Sequence, residues 1–366
     1  MDHRPVIALF ENEECWMSAC RLPPSAEVSV SVVVPTYCAE QTLLRAVHSV
    51  LTQSLRDLEL IIVDDASSDG SWELICELLP RDERIRAIRH KSNHGKPVAM
   101  NRAIGLARGR WLAVLDADDW YHPDRLAILV ETGERFGVDM VADNQFLYDA
   151  PAGRVVSTAW PENSAMWPLG LDDYLTGSNA YETFNLGMLK PVIRLDFMHR
   201  VGLFYEEKAR HGQDFFHLLQ FYLSGGRAVI CDRALYFYTQ PFGRISRKWS
   251  HTARKRYDFL NAYEINQRYL EIAQRTLPPR QWKRLKARNQ KLRLLEYYYR
   301  TREYLSSREW QAALALIIRH PTMLGYLMRR LYGRVRKNPG YYHTIHRIAR
   351  RSNRRASSPE PGKCDA

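Results

Sequence analysis

The chain has 366 residues, of which 45% are hydrophobic and 11% are aromatic, and its formal net charge is +12. This composition is typical of a folded protein and excludes an intrinsically disordered one. The positive charge is concentrated in residues 251–355, which hold 26 Lys and Arg against 6 Asp and Glu, whereas residues 1–250 hold 26 against 33. Two regions of opposite charge indicate two functions, one of them facing an anionic partner.

Strands alternate with helices in the first part of the chain. After an extension at residues 1–27, Val28–Val34 is a β-branched strand that we expect Pro35 to stop. A helix should follow, with one apolar face formed by Leu43, Leu44, Val47, Val50 and Leu51. Further strands are predicted at 58–63, 85–90 and 111–115, with helices at 72–79 and at 98–107, the latter closed by Gly109. This alternation predicts an α/β fold with a mostly parallel sheet and right-handed crossovers.

Three carboxylates, Asp116, Asp118 and Asp119, follow the apolar strand that ends at Leu115. Carboxylates repel one another and resist burial, so a bound cation is a simple reason to cluster them at a strand end. Oxygen ligands alone favour Mg²⁺ or Mn²⁺, which leave coordination positions for substrate phosphates. The alternative is a solvated acidic turn that caps the next helix. Because Asp64 and Asp65 also follow a strand, we expect both acidic groups at the same edge of the sheet.

Four motifs then carry a resemblance to a known family. They are Val-Ser-Val-Val-Val-Pro-Thr-Tyr at 30–37, Leu-Ile-Ile-Val-Asp-Asp-Ala-Ser-Ser-Asp-Gly-Ser at 60–71, Asn-His-Gly-Lys at 93–96 with Asn101, and Leu-Asp-Ala-Asp-Asp at 115–119. In order and spacing they resemble the bacterial family 2 glycosyltransferases of GT-A fold, with a weaker match continuing to about residue 245. Residues 139–144 resemble transferases that build exopolysaccharides. The resemblance implies inverting transfer of a sugar from a nucleotide diphosphate sugar, a UDP-sugar above all, to a hydroxyl of a glycan or lipid-linked glycan.

The resemblance also implies a donor site. Asp65 matches the carboxylate that accepts hydrogen bonds from the nucleotide base, and Lys96 lies where an ammonium reaches the diphosphate. Asp116 and Asp118 match the DxD signature, in which the second aspartate coordinates the metal, and Asp119 is expected to be a turn residue. The loop that flanks the base is matched by Pro35, Thr36 and Tyr37, with Glu40 close by. The alternatives are that Tyr37 fills space and that Lys96 is a solvated loop lysine.

A general base is implied by residues 211–215, which resemble the Glu-Asp motif of the family. Asp214 is the predicted base, His211 is an alternative, and Gln213 replaces the glutamate of the motif. Because the neighbouring negative charge is missing, we expect a lower pKa for Asp214. The alternative is that Asp214 only caps the helix predicted at Phe215–Leu223.

The basic region indicates a membrane surface. We predict a GT-A domain at 28–245, a basic helical region at 246–355 and a tail at 356–366. The segment Arg308–Arg336 places apolar residues against arginines, with a kink at Pro321, which is typical of a helix on an anionic membrane. The alternative is packing on the catalytic domain with solvated arginines, and the absence of a nucleic-acid motif disfavours nucleic acid.

The expected location is the cytoplasm, on the inner face of the cell membrane. The six cysteines form no Cys-x-x-Cys pair, and the apolar stretch at 5–10 is followed by Glu11, which argues against a signal peptide. Two rival functions stay open, a nucleotidyltransferase and a non-catalytic anion-binding protein. The first would need a glycine-rich loop after the first strand, and residues 35–42 contain no glycine.

Overall fold

The computed structural model describes residues 28–162, 166–178, 185–240, 258–322 and 325. The predicted extension at 1–27, the tail at 356–366 and the basic segment beyond 325 therefore lie outside the described residues.

The first part of the chain forms the alternating units that the sequence predicts. The elements are β1 (Val30–Thr36), α1 (Leu43–Leu51), β2 (Leu58–Asp64), α2 (Ser71–Leu78), β3 (Ile85–Arg89), α3 (Lys96–Ile104) and β4 (Trp111–Val114). Strand β1 lies parallel to both β2 and β4, and β3 lies parallel to β2. Apolar β-branched runs form the strands because both faces of this sheet are covered by helices.

The second part of the chain completes the sheet. Its elements are β5 (Trp120–Tyr121), α4 (Arg125–Phe136), β6 (Met140–Asp149), β7 (Arg154–Thr158), β8 (Met166–Pro168), α5 (Leu171–Gly177), β9 (Val192–Arg194), α6 (Leu195–Val201), α7 (Gln213–Leu223) and β10 (Ala228–Gln240). The strand order is β3-β2-β1-β4-β9-β6-β10-β5, with β7 paired to β6 and β8 to β10. Strand β9 is antiparallel to β4 and β6, so the sheet is mixed. The predicted GT-A-like α/β class, with a mostly parallel sheet flanked by helices, is confirmed.

Several predicted boundaries were wrong. Strand β1 runs through Pro35, which pairs with Val63 of β2, whereas the pairing of β1 with β4 ends at Val33. A proline is tolerated there because one side of the strand is already unpaired. Leu44 was placed on the apolar face of α1, but it is 53% exposed.

The boundaries of α3 also differ from the prediction. The helix begins at Lys96, two residues early, because Gly95 takes a φ of 91° and turns the chain into it. Gly109 does not close α3, which ends at Ile104. A Cβ at Gly109 would lie 2.4 Å from the backbone nitrogen of Ser31, so this glycine is needed for a close approach to β1.

The first two C-terminal helices, α8 (Phe259–Thr276) and α9 (Pro279–Ser306), share the core of the α/β domain, and α10 (Trp310–Arg319) follows them. The apolar cluster on the α3 and α7 side of the sheet contains Phe259, Ile265, Leu285, Leu292 and Leu295. The alternative of packing on the catalytic domain is therefore correct for α8 and α9. Helix α10 ends at Arg319 and does not kink at Pro321, because the residue before a proline avoids helical geometry.

Glu59 in β2 is a buried carboxylate that ties β1, β3 and the approach to β4 together. It accepts hydrogen bonds from Ser31 Oγ at 2.6 Å and from Arg108 N at 2.7 Å, and it pairs with Arg86 at 3.0 Å. Burial opposes its ionisation, but the bonds from Ser31 and Arg108 and the charge of Arg86 outweigh burial and lower its pKa.

We expect Glu59→Ala to lower the free energy of unfolding by about 3 kcal/mol, because it leaves charged groups without their buried partner. A carboxylate with a depressed pKa stabilises the fold above its unfolded pKa and loses that contribution as the pH falls through its folded pKa. The loss should therefore be larger at pH 7 than at pH 3, measured by urea unfolding at both values. Equal losses at the two values would show that the ionised form is not what stabilises the fold.

Candidate active site

Two lysines and two aspartates meet at the carboxyl edge of the sheet. Lys96 is the first residue of α3, Asp116 follows β4, Lys190 precedes β9, and Asp214 is the second residue of α7. Lys96 Nζ lies 2.7 Å from Asp116 Oδ1 and 3.4 Å from Asp214 Oδ1. Lys190 Nζ lies 2.6 Å from Asp214 Oδ2 and 2.9 Å from Asp116 Oδ2. Three predicted site residues, Lys96, Asp116 and Asp214, are thus brought together, and with Lys190 the formal charges of the four side chains sum to zero.

Lys190 was missed in the sequence. The available signal was weak, a single charged residue within the apolar stretch 186–193. Its side chain is only 5% exposed. A buried lysine is rare unless it is paired, and here both partners are carboxylates of the same cluster.

The charges of the cluster shift its pKa values in opposite directions. Burial opposes ionisation of Asp214, but the ammonium groups of Lys190 and Lys96 outweigh it and hold the pKa of Asp214 below its ordinary value. Burial likewise opposes the charge of Lys190, yet Asp116 and Asp214 raise its pKa well above the ordinary value. A lowered pKa was expected from Gln213, but here the two lysines cause it. Asp214 is therefore ionised at neutral pH and can accept a proton.

Asp119 holds the acidic turn in place, as its predicted role as a turn residue requires. It is buried and accepts hydrogen bonds from the Tyr236 hydroxyl at 2.6 Å and from Thr239 N at 2.7 Å. The same Tyr236 oxygen accepts a hydrogen bond from Asp116 N at 3.3 Å. The backbone carbonyl of Asp118 accepts from Arg45 Nη2 at 2.9 Å and from Thr239 Oγ1 at 2.6 Å. Helix α1 and strand β10 thus fix the turn from two sides.

Asp118 has surroundings unlike those of Asp116. Within the described residues its carboxylate has no ion-pair partner, and burial together with the charge of Asp116 raises its pKa to about 6. The described ranges contain no group of three or more His, Cys, Asp or Glu side chains that could hold a metal. Mg²⁺ is commonly held by one or two carboxylates plus substrate phosphates, and Asp116 and Asp118 fit such a site.

Asp65 lies beside this cluster, where it anchors the loop before α3. Its Oδ1 accepts from His90 Nδ1 at 2.8 Å and from His94 N at 2.9 Å, and its Oδ2 accepts from Gly95 N at 2.7 Å. Asp65 N donates to the carbonyl of Thr36 at 2.8 Å. Since Oδ1 already accepts two bonds, only Oδ2 has capacity for a further donor.

The other predicted donor residues lie at the end of β1. Thr36 is buried and Tyr37 is half-buried, while Pro35 belongs to the strand itself. Glu40 is exposed, and its Oε2 accepts from Gly70 N at 3.1 Å, which joins the loops after β1 and β2. These residues are next to Asp65 but are not members of the lysine and aspartate cluster. His211, the alternative base, is buried, and burial lowers its pKa to about 4.

Two tryptophans of the second part of the chain have a structural role. Trp160 and Trp167 are both buried, and Trp160 Nε1 donates to Asp232 at 2.6 Å. They therefore belong to the core.

Comparison with known proteins gives a consistent result. Residues 31–190 match the family described as "Glycosyl transferase family 2". Over 230 residues the chain is 33% identical to the succinoglycan biosynthesis protein ExoO of Rhizobium meliloti, covering 62% of this chain and 65% of that relative. Over 92 residues it is 36% identical to the Escherichia coli UDP-Glc:alpha-D-GlcNAc-diphosphoundecaprenol beta-1,3-glucosyltransferase WfaP, which covers 25% of this chain and 36% of WfaP.

The fold also has a solved counterpart. The structure of S. aureus TarS 1–349 in complex with UDP-GlcNAc superposes with a TM-score of 0.54 at 18% identity, covering 67% of this chain and 66% of that one. Among the curated relatives, the match to this chain covers less than two thirds of the length of ExoO, at 65%, and 36% of the length of WfaP.

Proposed function

We propose, from the match of residues 31–190 to the family described as "Glycosyl transferase family 2", that the protein is an inverting glycosyltransferase. Its donor is a UDP-sugar, and its acceptor is a hydroxyl of a glycan or lipid-linked glycan in polysaccharide synthesis. Three similar proteins support this proposal: ExoO is a succinoglycan biosynthesis protein, WfaP transfers glucose from UDP-Glc to alpha-D-GlcNAc-diphosphoundecaprenol, and TarS binds UDP-GlcNAc. The observation that carries it is the ion-paired cluster of Asp116, Asp214, Lys96 and Lys190 at the carboxyl edge of the sheet.

In the proposed reaction Asp214 is the general base. It takes the proton of the acceptor hydroxyl while the new bond to the sugar C1 forms and the bond from C1 to the diphosphate oxygen breaks. The electron pair of that broken bond leaves with UDP. Lys96 is suited to the diphosphate because its partly exposed ammonium group lies at the start of α3, and a helix N-terminus favours an anion. Asp65, beside Tyr37, accepts from the nucleotide base.

Mg²⁺ or Mn²⁺ is the proposed cofactor, held by Asp118 and Asp116 together with the diphosphate. When bound, such an ion supplies Lewis-acid stabilisation of the departing phosphate. The carboxylate of Asp118 is the better available ligand, because both oxygens of Asp116 already accept from lysines.

Transfer to lipid is the direct test of this function. The purified protein is incubated with a panel of radiolabelled UDP-sugars and extracted bacterial membrane lipids, with Mn²⁺ or with EDTA, and label in the lipid fraction is counted. We expect one donor to label lipid in the presence of Mn²⁺. No labelled lipid and no consumption of any donor would instead favour a non-catalytic binding protein.

We further propose that the protein works at the inner face of the cell membrane. Among the described residues no helix is long and apolar enough to span a bilayer. Helix α10 carries an apolar stripe, with Trp310 63%, Leu314 58% and Ile318 70% exposed. These residues lie four apart and therefore on one face. An exposed tryptophan and aliphatic stripe within a strongly basic region suits the interface of an anionic bilayer.

The electrostatic part of this proposal is tested by charge reversal. Arg329, Arg330, Arg334 and Arg336, which lie outside the described residues, are changed together to glutamate. Each basic residue near an anionic surface contributes about 1 kcal/mol, so binding to phosphatidylglycerol vesicles should fall far more than binding to phosphatidylcholine vesicles. Flotation assays with both vesicle types measure the fraction of protein that is bound. A reversed protein that binds both types like the wild type would refute the membrane role of these residues.

The contribution of apolar side chains to membrane binding is tested by substitutions in α10. The double variant Leu314→Gln with Ile318→Gln should weaken vesicle binding about tenfold or more, because each side chain would have buried apolar surface in the bilayer. Leu44→Gln with Val156→Gln is the matched control, since these side chains are similarly exposed on the α/β domain, at 53% and 52%. An equal loss in both double variants would show that the stripe has no special role.

A further inference from the structure

The two lysines of the cluster are not equivalent. Lys96 has a 21% exposed side chain, and its shorter contact is with Asp116, whereas its nitrogen is 3.4 Å from Asp214. Lys190 is 5% exposed, and its shorter contact, 2.6 Å, is with Asp214. The shortest ion pair of Asp214 is therefore with Lys190, through Oδ2. Its other oxygen, Oδ1, lies 3.4 Å from Lys96 Nζ, and the Tyr205 hydroxyl also hydrogen-bonds the Asp214 carboxylate.

The backbone of Lys190 is also held in place, by a buried ion pair. Arg125 and Asp143 form a fully buried pair, with Arg125 Nε 2.9 Å from Asp143 Oδ2 and Nη2 2.7 Å from Oδ1. The same Nη2 donates to the backbone carbonyl of Lys190. The guanidinium lies 4.3 Å from the ring centre of Tyr121 and 5.2 Å from that of Tyr236, the tyrosine that bonds Asp116 N. The bond from this buried guanidinium fixes the backbone at residue 190.

Lys96 has a different setting. It is the first residue of α3 and follows Gly95, whose φ is positive. Within the described residues, no buried ion pair holds the backbone of Lys96 as Arg125 and Asp143 hold that of Lys190. Unpaired N–H groups of a helix start attract anions to the same place. Lys96 is thus suited to leave Asp116 for an incoming phosphate, whereas Lys190 has neither exposure nor freedom to do so.

From these differences we infer a division of roles, in which Lys190 is the positioning residue that holds Asp214 through Oδ2 and so sets the orientation in which its carboxylate receives the acceptor proton. Lys96 belongs to donor binding. The inference rests on the proposed function and adds a residue that none of the family motifs in the sequence contains. The two ammonium groups belong to the same cluster, yet the inference predicts that removing one or the other affects different kinetic constants.

Lys190→Met and Lys96→Met form a matched pair, because each removes one ammonium group and keeps a chain of similar length. We expect Lys190→Met to lower kcat by about 10²-fold, the usual worth of a positioned base, with donor KM nearly unchanged. Lys96→Met should instead weaken UDP binding and raise donor KM by about tenfold, the worth of one charge-assisted hydrogen bond. Initial rates of UDP release give both constants, and calorimetry gives the UDP affinity.

A double-mutant cycle with Asp214→Asn separates positioning from a general structural effect. If Lys190 acts through Asp214, Lys190→Met should cost little further kcat in the Asp214→Asn background. A full additional loss in that background would overturn the inference. If Lys190→Met fails to fold by circular dichroism, Lys190→Gln replaces it in the same cycle and is interpreted in the same way.

The outcomes also separate the inference from the function on which it rests. A wild-type protein that releases no UDP from any UDP-sugar refutes the proposed function itself. Loss of activity in Asp214→Asn with wild-type kcat in Lys190→Met leaves the function in place and refutes the role of Lys190. A raised KM with unchanged kcat in Lys190→Met would place it in donor binding and likewise refute the inference.

Discussion

Replacing Asp214 with asparagine is expected to slow sugar transfer by about 10²-fold or more, the usual contribution of a positioned general base. Asparagine keeps the size of the side chain but cannot accept the acceptor proton. Because Lys96 and Lys190 still offer their positive charge, the affinity for UDP should stay the same or increase. Initial rates at saturating donor measure the first effect, and calorimetric titration with UDP measures the second.

Asp196→Asn is the matched control for this experiment. Asp196 is the second residue of α6, as Asp214 is the second residue of α7, but it is exposed and has only a 3.7 Å contact with Arg200. If Asp214 merely stabilises the start of its helix, both variants should lose stability and neither should lose kcat. A collapse of UDP affinity in Asp214→Asn would instead assign the residue to donor binding.

Replacing Asp118 with alanine is expected to abolish metal-stimulated transfer and leave the fold intact. It removes a proposed metal ligand whose carboxylate has no ion-pair partner among the described residues. A carboxyl group with a raised pKa destabilises the folded state as the pH rises through that pKa. With the pKa of Asp118 near about 6, Asp118→Ala should raise Tm, and by more at pH 8 than at pH 5. Rates across a Mn²⁺ titration and thermal unfolding at the two pH values test both statements.

Asp124→Ala controls for the loss of any carboxylate close to the turn. Asp124 has a 54% exposed side chain and only a long contact with His122. Its removal should change neither the response to Mn²⁺ nor the dependence of Tm on pH. An Asp118→Ala protein with wild-type activity would contradict the proposed metal site.

Strands such as β2 and β4 could be predicted from the sequence because they are mostly apolar and lie between turn residues. Leu58–Asp64 and Trp111–Val114 are buried along their whole length, and local composition is enough to find such strands. The ends of the strands depend on how far the neighbouring strands extend, so these boundaries were predicted less accurately. Pro35 stays in β1 because of how far β4 extends, and a single sequence does not contain that information.

The candidate site was predictable only where a residue belongs to a motif. Asp116, Lys96 and Asp214 stand in recognisable contexts, and the structure brings them together. Lys190 acquires its environment from carboxylates 74 positions earlier and 24 positions later in the chain. Burial and pairing of that kind arise from packing between distant elements, so neither periodicity nor spacing reveals them.

Chemical identification of the nucleotide product is the most direct test of the central claim that this cluster transfers sugar from a UDP-sugar. The protein is incubated with UDP-sugars, Mn²⁺ and membrane lipids, and the products are separated by ion-exchange chromatography. We expect UDP as the nucleotide product, formed by the wild type and by Asp196→Asn, and reduced about 10²-fold in Asp214→Asn. Formation of pyrophosphate, or UDP released equally by wild type and Asp214→Asn, would contradict it.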